Sequence, residues 1–105
     1  GNLIFTVSNN GYLYVVEKNS GNIIRINNIF KKYKKRKKNT IYPTGFILNY
    51  KDVFISTNKG RLFIMKLKSG NIMDILKVSS GMISKASIKN NNMYLVKDNS
   101  ILKLN

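Results

Sequence analysis

The sequence predicts an all-β fold built from repeated antiparallel strands. Short apolar runs recur along the chain, each bounded by corners of Asn, Gly, Ser or Asp. One long segment near the N-terminus recurs downstream with its corners in register. The runs Tyr12-Leu13-Tyr14-Val15-Val16 and Leu62-Phe63-Ile64-Met65 do not alternate apolar with polar. Strands of that kind are expected to be buried on both faces.

The repeat is the most informative of these signals. Asn2–Asn27 laid over Lys51–Leu76, an offset of 49, matches at nine of 26 positions. The matches are Phe5/Phe54, Asn9/Asn58, Gly11/Gly60, Leu13/Leu62, Ser20/Ser69, Gly21/Gly70, Asn22/Asn71, Ile23/Ile72 and Ile26/Ile75. A third copy follows at offset 40, from Met93-Tyr94-Leu95-Val96 through Asp98-Asn99-Ser100 to Ile101-Leu102-Lys103-Leu104. Ser100 there takes the glycine place, and Leu102 the place of Leu13 and Leu62. The offsets differ by 49 − 40 = 9 residues, which maps onto Lys31–Asn39. The unit is therefore 40 residues long with one basic insertion. About 40–45 residues in four strands is the size of a propeller blade.

Each unit resolves into strands. Leu3–Ser8 and Tyr12–Glu17 flank Asn9-Asn10-Gly11, a corner able to supply the positive φ of a tight hairpin. Lys18-Asn19-Ser20-Gly21 turns the chain into Asn22–Asn27. The second unit repeats this with Asp52–Thr57, Arg61–Lys66 and Asn71–Lys77. Thr44–Asn49 and Ser84–Lys89 read as the opening strands of units two and three. Asn92–Asp98 and Ile101–Leu104 complete the third. Ile72, Ile75 and Leu76 have helical spacing, but the matching Asn22-Ile23-Ile24-Arg25-Ile26 is β-branched and reads as a strand.

Composition removes most chemistry. The chain has 105 residues and no Cys, His or Trp. Thiolate and imidazole metal sites, disulfides, and Cys- or His-based catalysis are excluded for these residues. With 43% hydrophobic and 22% charged residues, the chain is globular in character. The acids Glu17, Asp52, Asp74 and Asp98 fall at different places in the repeat, so no paired carboxylate emerges for acid–base or metal work. The glycines form neither G-x-G-x-x-G nor a P-loop. The serines lie in turns without a His or an elbow motif. No catalytic residue, cofactor or metal is expected, and the chain is expected not to be an enzyme. It begins with Gly1 rather than Met and starts in the apolar run Leu3-Ile4-Phe5, which reads as a piece of something longer.

Charge supplies one sharp surface feature. Nineteen Lys and Arg against four acids give +15, and Lys31–Lys38 alone carries seven positive charges. Lys31, Lys32, Lys34, Lys35, Arg36, Lys37 and Lys38 are the candidate anion-binding residues. Two readings stand. One is a loop lengthened by drift in a Lys- and Asn-rich composition. The other is a finger for anionic lipid, lipopolysaccharide phosphate or nucleic acid. Like charges at this density predict an exposed, poorly ordered, projecting segment. Tyr33 is a single aromatic, and the strands lack the basic–aromatic pattern of single-strand binders, so nucleic acid is the less favoured ligand.

The corners and strands together resemble the quinoprotein-type propeller repeat. Asn10-Gly11-Tyr12-Leu13-Tyr14-Val15-Val16 with Ser20-Gly21-Asn22 carries the resemblance, as does Lys59-Gly60-Arg61-Leu62-Phe63-Ile64-Met65 with Ser69-Gly70-Asn71. It implies blades of four antiparallel strands, here about two and a half and C-terminal. The expected division is an incomplete blade over 1–29, a basic inter-blade loop over 30–43, a complete blade over 44–77 and an incomplete C-terminal blade over 78–105. The closing segment Lys77-Val78-Ser79-Ser80-Gly81 onward is similar to the C-terminus of the BamB family. These are periplasmic lipoproteins that assist assembly of outer-membrane β-barrel proteins. The resemblance implies a non-enzymatic scaffold on the periplasmic side of a Gram-negative outer membrane, lipid-anchored upstream. Its partners would be the barrel assembly machinery and unfolded outer-membrane proteins. The alternatives are peripheral blades of a pyrroloquinoline-quinone-dependent dehydrogenase, or a module binding nucleic acid or an anionic surface through the basic loop. The superfamily often closes its fourth strand with Trp, where this chain has Arg25 or Ile26, and Asp74 or Ile75. Propellers commonly close with a strand borrowed from the opposite terminus, so the edge of Ile101–Leu104 is expected to pair with a strand from far upstream.

Overall fold

The apolar runs become strands and the Gly-bearing corners become turns across residues 2–97 and 100–104, the part of the chain that this computed structural model describes. β1 (Leu3–Val7), β2 (Tyr12–Glu17) and β3 (Ile23–Asn28) form one antiparallel sheet in sequence order. β4 (Pro43–Asn49), β5 (Asp52–Thr57), β6 (Arg61–Lys66) and β7 (Ile72–Lys77) form a second. β8 (Ser87–Lys89), β9 (Asn92–Lys97) and β10 (Ser100–Leu104) form a third. The single turn of helix α1 (Lys35–Lys38) lies between β3 and β4. Ile72, Ile75 and Leu76 lie on β7, so their helical spacing misleads.

The repeat is written in backbone hydrogen bonds as well as in sequence. Ile29 N–H donates to the Gly11 carbonyl at 2.8 Å, and Val78 N–H to the Gly60 carbonyl at 2.8 Å. Gly21 N–H donates to Glu17 at 2.9 Å, and Gly70 N–H to Lys66 at 2.8 Å. Asn22 N–H reaches Ser20 Oγ and Asn71 N–H reaches Ser69 Oγ, both at 3.2 Å. The ladder slips between Val15 and Val16 in one sheet and between Ile64 and Met65 in the other. Every one of these pairs is 49 residues apart.

The corners work because glycine closes them. Gly11 has φ +89° and Gly60 φ +72°. Each is the last residue of a four-residue turn, its N–H donating to the carbonyl three residues back, Ser8 or Thr57. A left-handed glycine ending such a turn lets the strands leave with the native twist. The third corner, Asp98-Asn99, lies outside the described residues. Ser100 sits within β10, opposite Lys97.

Two apolar layers hold the sheets face to face. Leu13, Ile29, Phe30, Ile41, Val53, Ile55, Phe63 and Met65 fill the space between the first and second sheets. Leu62, Ile83, Ala86 and Leu95 fill that between the second and third. β6 therefore buries adjacent residues in opposite directions, Phe63 toward one neighbour and Leu62 toward the other. Burial of each contributes about 1.5–3 kcal/mol. β2 departs from the expectation of burial on both faces. Leu13 and Val15 are buried, but Tyr12, Tyr14 and Val16 are only half-buried.

The opening strand of the third unit is shorter than Ser84–Lys89. Ser84 Oγ accepts the Val96 N–H at 2.8 Å, and Ser84 N–H donates to the Val96 carbonyl at 3.0 Å. The side chain replaces a main-chain acceptor, so the regular ladder begins only at Ser87.

Candidate anion-binding face

The basic run is part of a link whose two ends are buried. Ile29 and Phe30 precede it and Ile41 follows it, with exposures of 1%, 0% and 3%. Between them Tyr33 turns inward. Its ring stacks on Phe30 at 6.2 Å between centroids and meets Phe63 edge-on at 5.9 Å. Burial pushes its phenol above the ordinary tyrosine value, against the opposing charge of Arg61. The segment is exposed at most of its cations, as expected, but does not project freely. Tyr33 pins the run to the core, and Lys35–Lys38 close into one helical turn.

That turn forms against its own charge. No acid lies in it and no side chain caps its start. Like charges three or four residues apart cost a helix about 0.2–0.5 kcal/mol per pair. Main-chain bonds offset this. Lys38 N–H donates to Lys34 at 2.9 Å, Asn39 N–H to Lys35 at 3.0 Å, and Thr40 Oγ1 to the Lys37 carbonyl at 2.9 Å. Asn58 then clasps the exit: its Nδ2 donates to the Thr40 carbonyl at 3.0 Å, and its Oδ1 accepts the Tyr42 N–H at 2.7 Å.

The seven candidate cations separate into two groups. Lys31, Lys32, Lys34, Lys35, Arg36 and Lys37 are exposed and Lys38 is half-buried, but Lys37 and Lys38 differ from the rest in lying over aromatic rings. Lys37 lies with its ammonium 4.5 Å from the Tyr33 ring centre, and Lys38 with its own 5.8 Å from that of Tyr12. At such exposed sites each contact is worth about 0.5–1 kcal/mol, enough to bias the direction of the side chain. Lys37 points toward a cleft lined also by Thr40, Ile41, Lys59, Arg61, Lys77 and Ser80. Reading the run by itself misses Lys59, Arg61 and Lys77. The signal for them lies in the repeat, since the corner at Asn58–Gly60 and the end of β7 share one end of the sheet with the link. Gly60 O receives both Val78 N–H and Ser79 N–H there, at 2.8 and 3.2 Å.

Of the acids, Glu17 and Asp52 close the opposite strand ends, Asp74 is exposed on β7, and Asp98 lies outside the described residues. Among the described residues no three His, Cys, Asp or Glu side chains gather as a metal site would require. Among the described residues no helix is long and apolar enough to cross a membrane.

Solved structures match this arrangement of sheets closely. BamB from Moraxella catarrhalis matches with a TM-score of 0.72 at 14% identity, over 98% of this chain and 29% of that one. These sheets are β-propeller blades. The WD40 propeller domain of Doa1 matches with a TM-score of 0.73 at 12% identity, over 97% of this chain and 32% of that one. The propeller domain of Myceliophteria thermophila Cps50 (Swd1) matches with a TM-score of 0.70 at 14% identity, over 90% of this chain and 31% of that one. The chain thus spans about a third or less of each of these propellers. No family model matches it, and no curated protein matches its sequence.

The blade assignment gives meaning to Arg25, which holds one of the places where the resembled repeat often carries Trp. Its guanidinium crosses to the second blade and donates to the carbonyls of Leu67 and Lys68, the latter at 2.5 Å. Asn27 Oδ1 accepts from its Nε at 2.7 Å. A charged fork and main-chain oxygens thus tie the first blade to the second.

Proposed function

We propose that the chain is part of a non-enzymatic interaction propeller with a BamB-like role, assisting assembly of outer-membrane β-barrel proteins on the periplasmic side of the membrane. Its partners would be the barrel assembly machinery and unfolded outer-membrane proteins, with a lipid anchor upstream of these residues. The observation that carries the interaction reading is the β3 edge of the first blade. Ile24 is 58% exposed on β3 and its repeat counterpart Met73 is 53% exposed on β7, each on a strand that ends its sheet, whereas Ile23 and Ile26 hold the places where Ile72 and Ile75 pack against the adjacent blade. A terminal strand with apolar side chains beside free main-chain groups can receive an extended segment as a further strand. Unfolded barrel proteins supply such segments, alternating apolar and polar residues. The blade architecture and the closing segment from Lys77 onward support the BamB-like form of this reading.

The test uses the full-length protein that contains this chain. Reconstituted barrel assembly machinery is given an unfolded outer-membrane protein, and barrel folding is timed with and without it. Faster folding, reduced by Ile24→Lys, is the expected result. Unchanged folding together with recovery of the protein in the cytoplasmic fraction overturns the reading.

A further inference from the structure

We propose that the cleft between α1 and the second blade binds a phosphate group. Four cations converge on it from separate parts of the chain: Lys37 from α1, Lys59 from the corner before β6, Arg61 from β6 and Lys77 from the end of β7. Ser80 adds a hydroxyl able to donate, while the Thr40 proton is already given to the Lys37 carbonyl, and no carboxylate among the described residues lines the cleft. Solvated lysines on a random surface point apart to relieve repulsion. Here the Tyr33 ring biases the direction of Lys37, and Arg61 is held by its own bonds. Arg61 Nη1 donates to the Lys59 carbonyl at 3.0 Å and the Ser79 carbonyl at 3.3 Å. Its Nε and Nη2 have no partner among the described residues. A guanidinium fixed along one side with donors free on the other suits an oxyanion.

The number of charges selects the ligand class. A carboxylate brings one negative charge and leaves most of the cluster uncompensated. A phosphate monoester or a diphosphate brings two or more, with several oxygens for the Ser80 hydroxyl and the guanidinium. The cleft volume of about 240 Å³ falls below the roughly 300–1,000 Å³ that enclose whole organic ligands. It suits the phosphate and leaves the rest of the ligand outside. The exposed Lys31, Lys32, Lys34, Lys35 and Arg36 would raise the local anion concentration without contacting the bound group. This inference stands apart from the scaffold role above, since it needs neither the β3 edge nor any protein partner.

Inorganic pyrophosphate titrated calorimetrically into the full-length protein tests it. Lys59→Gln/Lys77→Gln removes two cleft charges from exposed side chains, and Lys34→Gln/Lys35→Gln removes two charges from outside the cleft. The expected result is saturable binding that the first pair weakens about tenfold or more and the second by less than about threefold. Equal loss in both pairs, or no saturable binding, overturns the proposal. Vesicles containing phosphatidic acid distinguish a lipid source from a free one. Vesicle binding that pyrophosphate displaces assigns the cleft to a lipid phosphate, and pyrophosphate binding without vesicle binding assigns it to a free phosphate. An oligonucleotide whose binding depends on Lys34 and Lys35, and which pyrophosphate does not displace, would instead assign the charge to a diffuse polyanion contact and overturn it. Unchanged circular dichroism of both pairs excludes misfolding as the cause.

Discussion

The Arg25 guanidinium of the first blade lies 2.5 Å from the carbonyl oxygen of Lys68 in the second. The same fork reaches the carbonyl of Leu67. These bonds span 43 and 42 residues of sequence and tie the outer strand of one blade to a turn of the next. Arg25→Ala is expected to cost about 1–2 kcal/mol, read by urea denaturation, because the site is partly open to solvent. Arg25→Lys should recover less than half of that loss, since one ammonium cannot serve both carbonyls in the plane of a fork. Full recovery by Lys would show that charge alone matters there.

The glycine corners divide into crowded and open ones. A Cβ at Gly11 would fall within the Phe30 ring, and one at Gly60 against the Ser79 carbonyl. At Gly21 nothing lies within 4 Å, although φ is +75°. Gly21→Ala should therefore cost about 1–2 kcal/mol, the conformational penalty alone. Gly11→Ala and Gly60→Ala should each cost about 3 kcal/mol or more, as steric strain adds to it. Equal melting temperatures for Gly21→Ala and Gly11→Ala would contradict the packing described here.

Ser56 and Thr57 are adjacent and fully buried, yet differ in satisfaction. Ser56 Oγ has no partner among the described residues. Thr57 Oγ1 donates to the Arg61 carbonyl and accepts its N–H, both at 3.0 Å. Ser56→Ala is expected to be neutral or stabilising by up to about 1 kcal/mol, whereas Thr57→Val should lose about 1–2 kcal/mol. Denaturant midpoints of the two variants give the comparison directly.

Tyr33 makes stability depend on alkaline pH. Its phenol is raised by burial, so the folded chain holds the proton more tightly than the unfolded one. The sign follows: this contribution is whole below the unfolded tyrosine value of about 10 and is lost as pH rises through the folded one. Tyr33→Phe keeps the ring contacts and removes the titration. The variant should gain on the wild type between about pH 8 and about pH 11, measured as the difference in urea midpoint. A constant difference would mean that the phenol is not desolvated.

Most of the strand order was legible because the repeat supplies a second reading of every position. Ile72–Lys77 has helical spacing on its own, and only its match to Ile23–Asn28 made it a strand. The basic run had no such partner. Seven cations around one tyrosine look like a solvated tail, and nothing local reveals that Phe30 and Phe63 wait for that ring. The cleft was hidden for a related reason. Lys37, Lys59, Arg61 and Lys77 are ordinary surface residues in sequence, and only the folding of the link across the end of the second blade brings them together. Arg25 was singled out as a departure from Trp, but its bonds to Leu67 and Lys68 depend on the angle between blades, which no single repeat encodes.

The buried Phe30 and Ile41 bracket an excursion that leaves its base and returns to it, with Asn58 fastening the return. Such an arrangement is modular. The peptide between those two residues can be exchanged for another of different length while the blades keep their spacing, provided that an aromatic ring still fills the place of Tyr33. The link is thus a natural graft point, where an epitope or recognition peptide would be displayed in one fixed orientation relative to the propeller face.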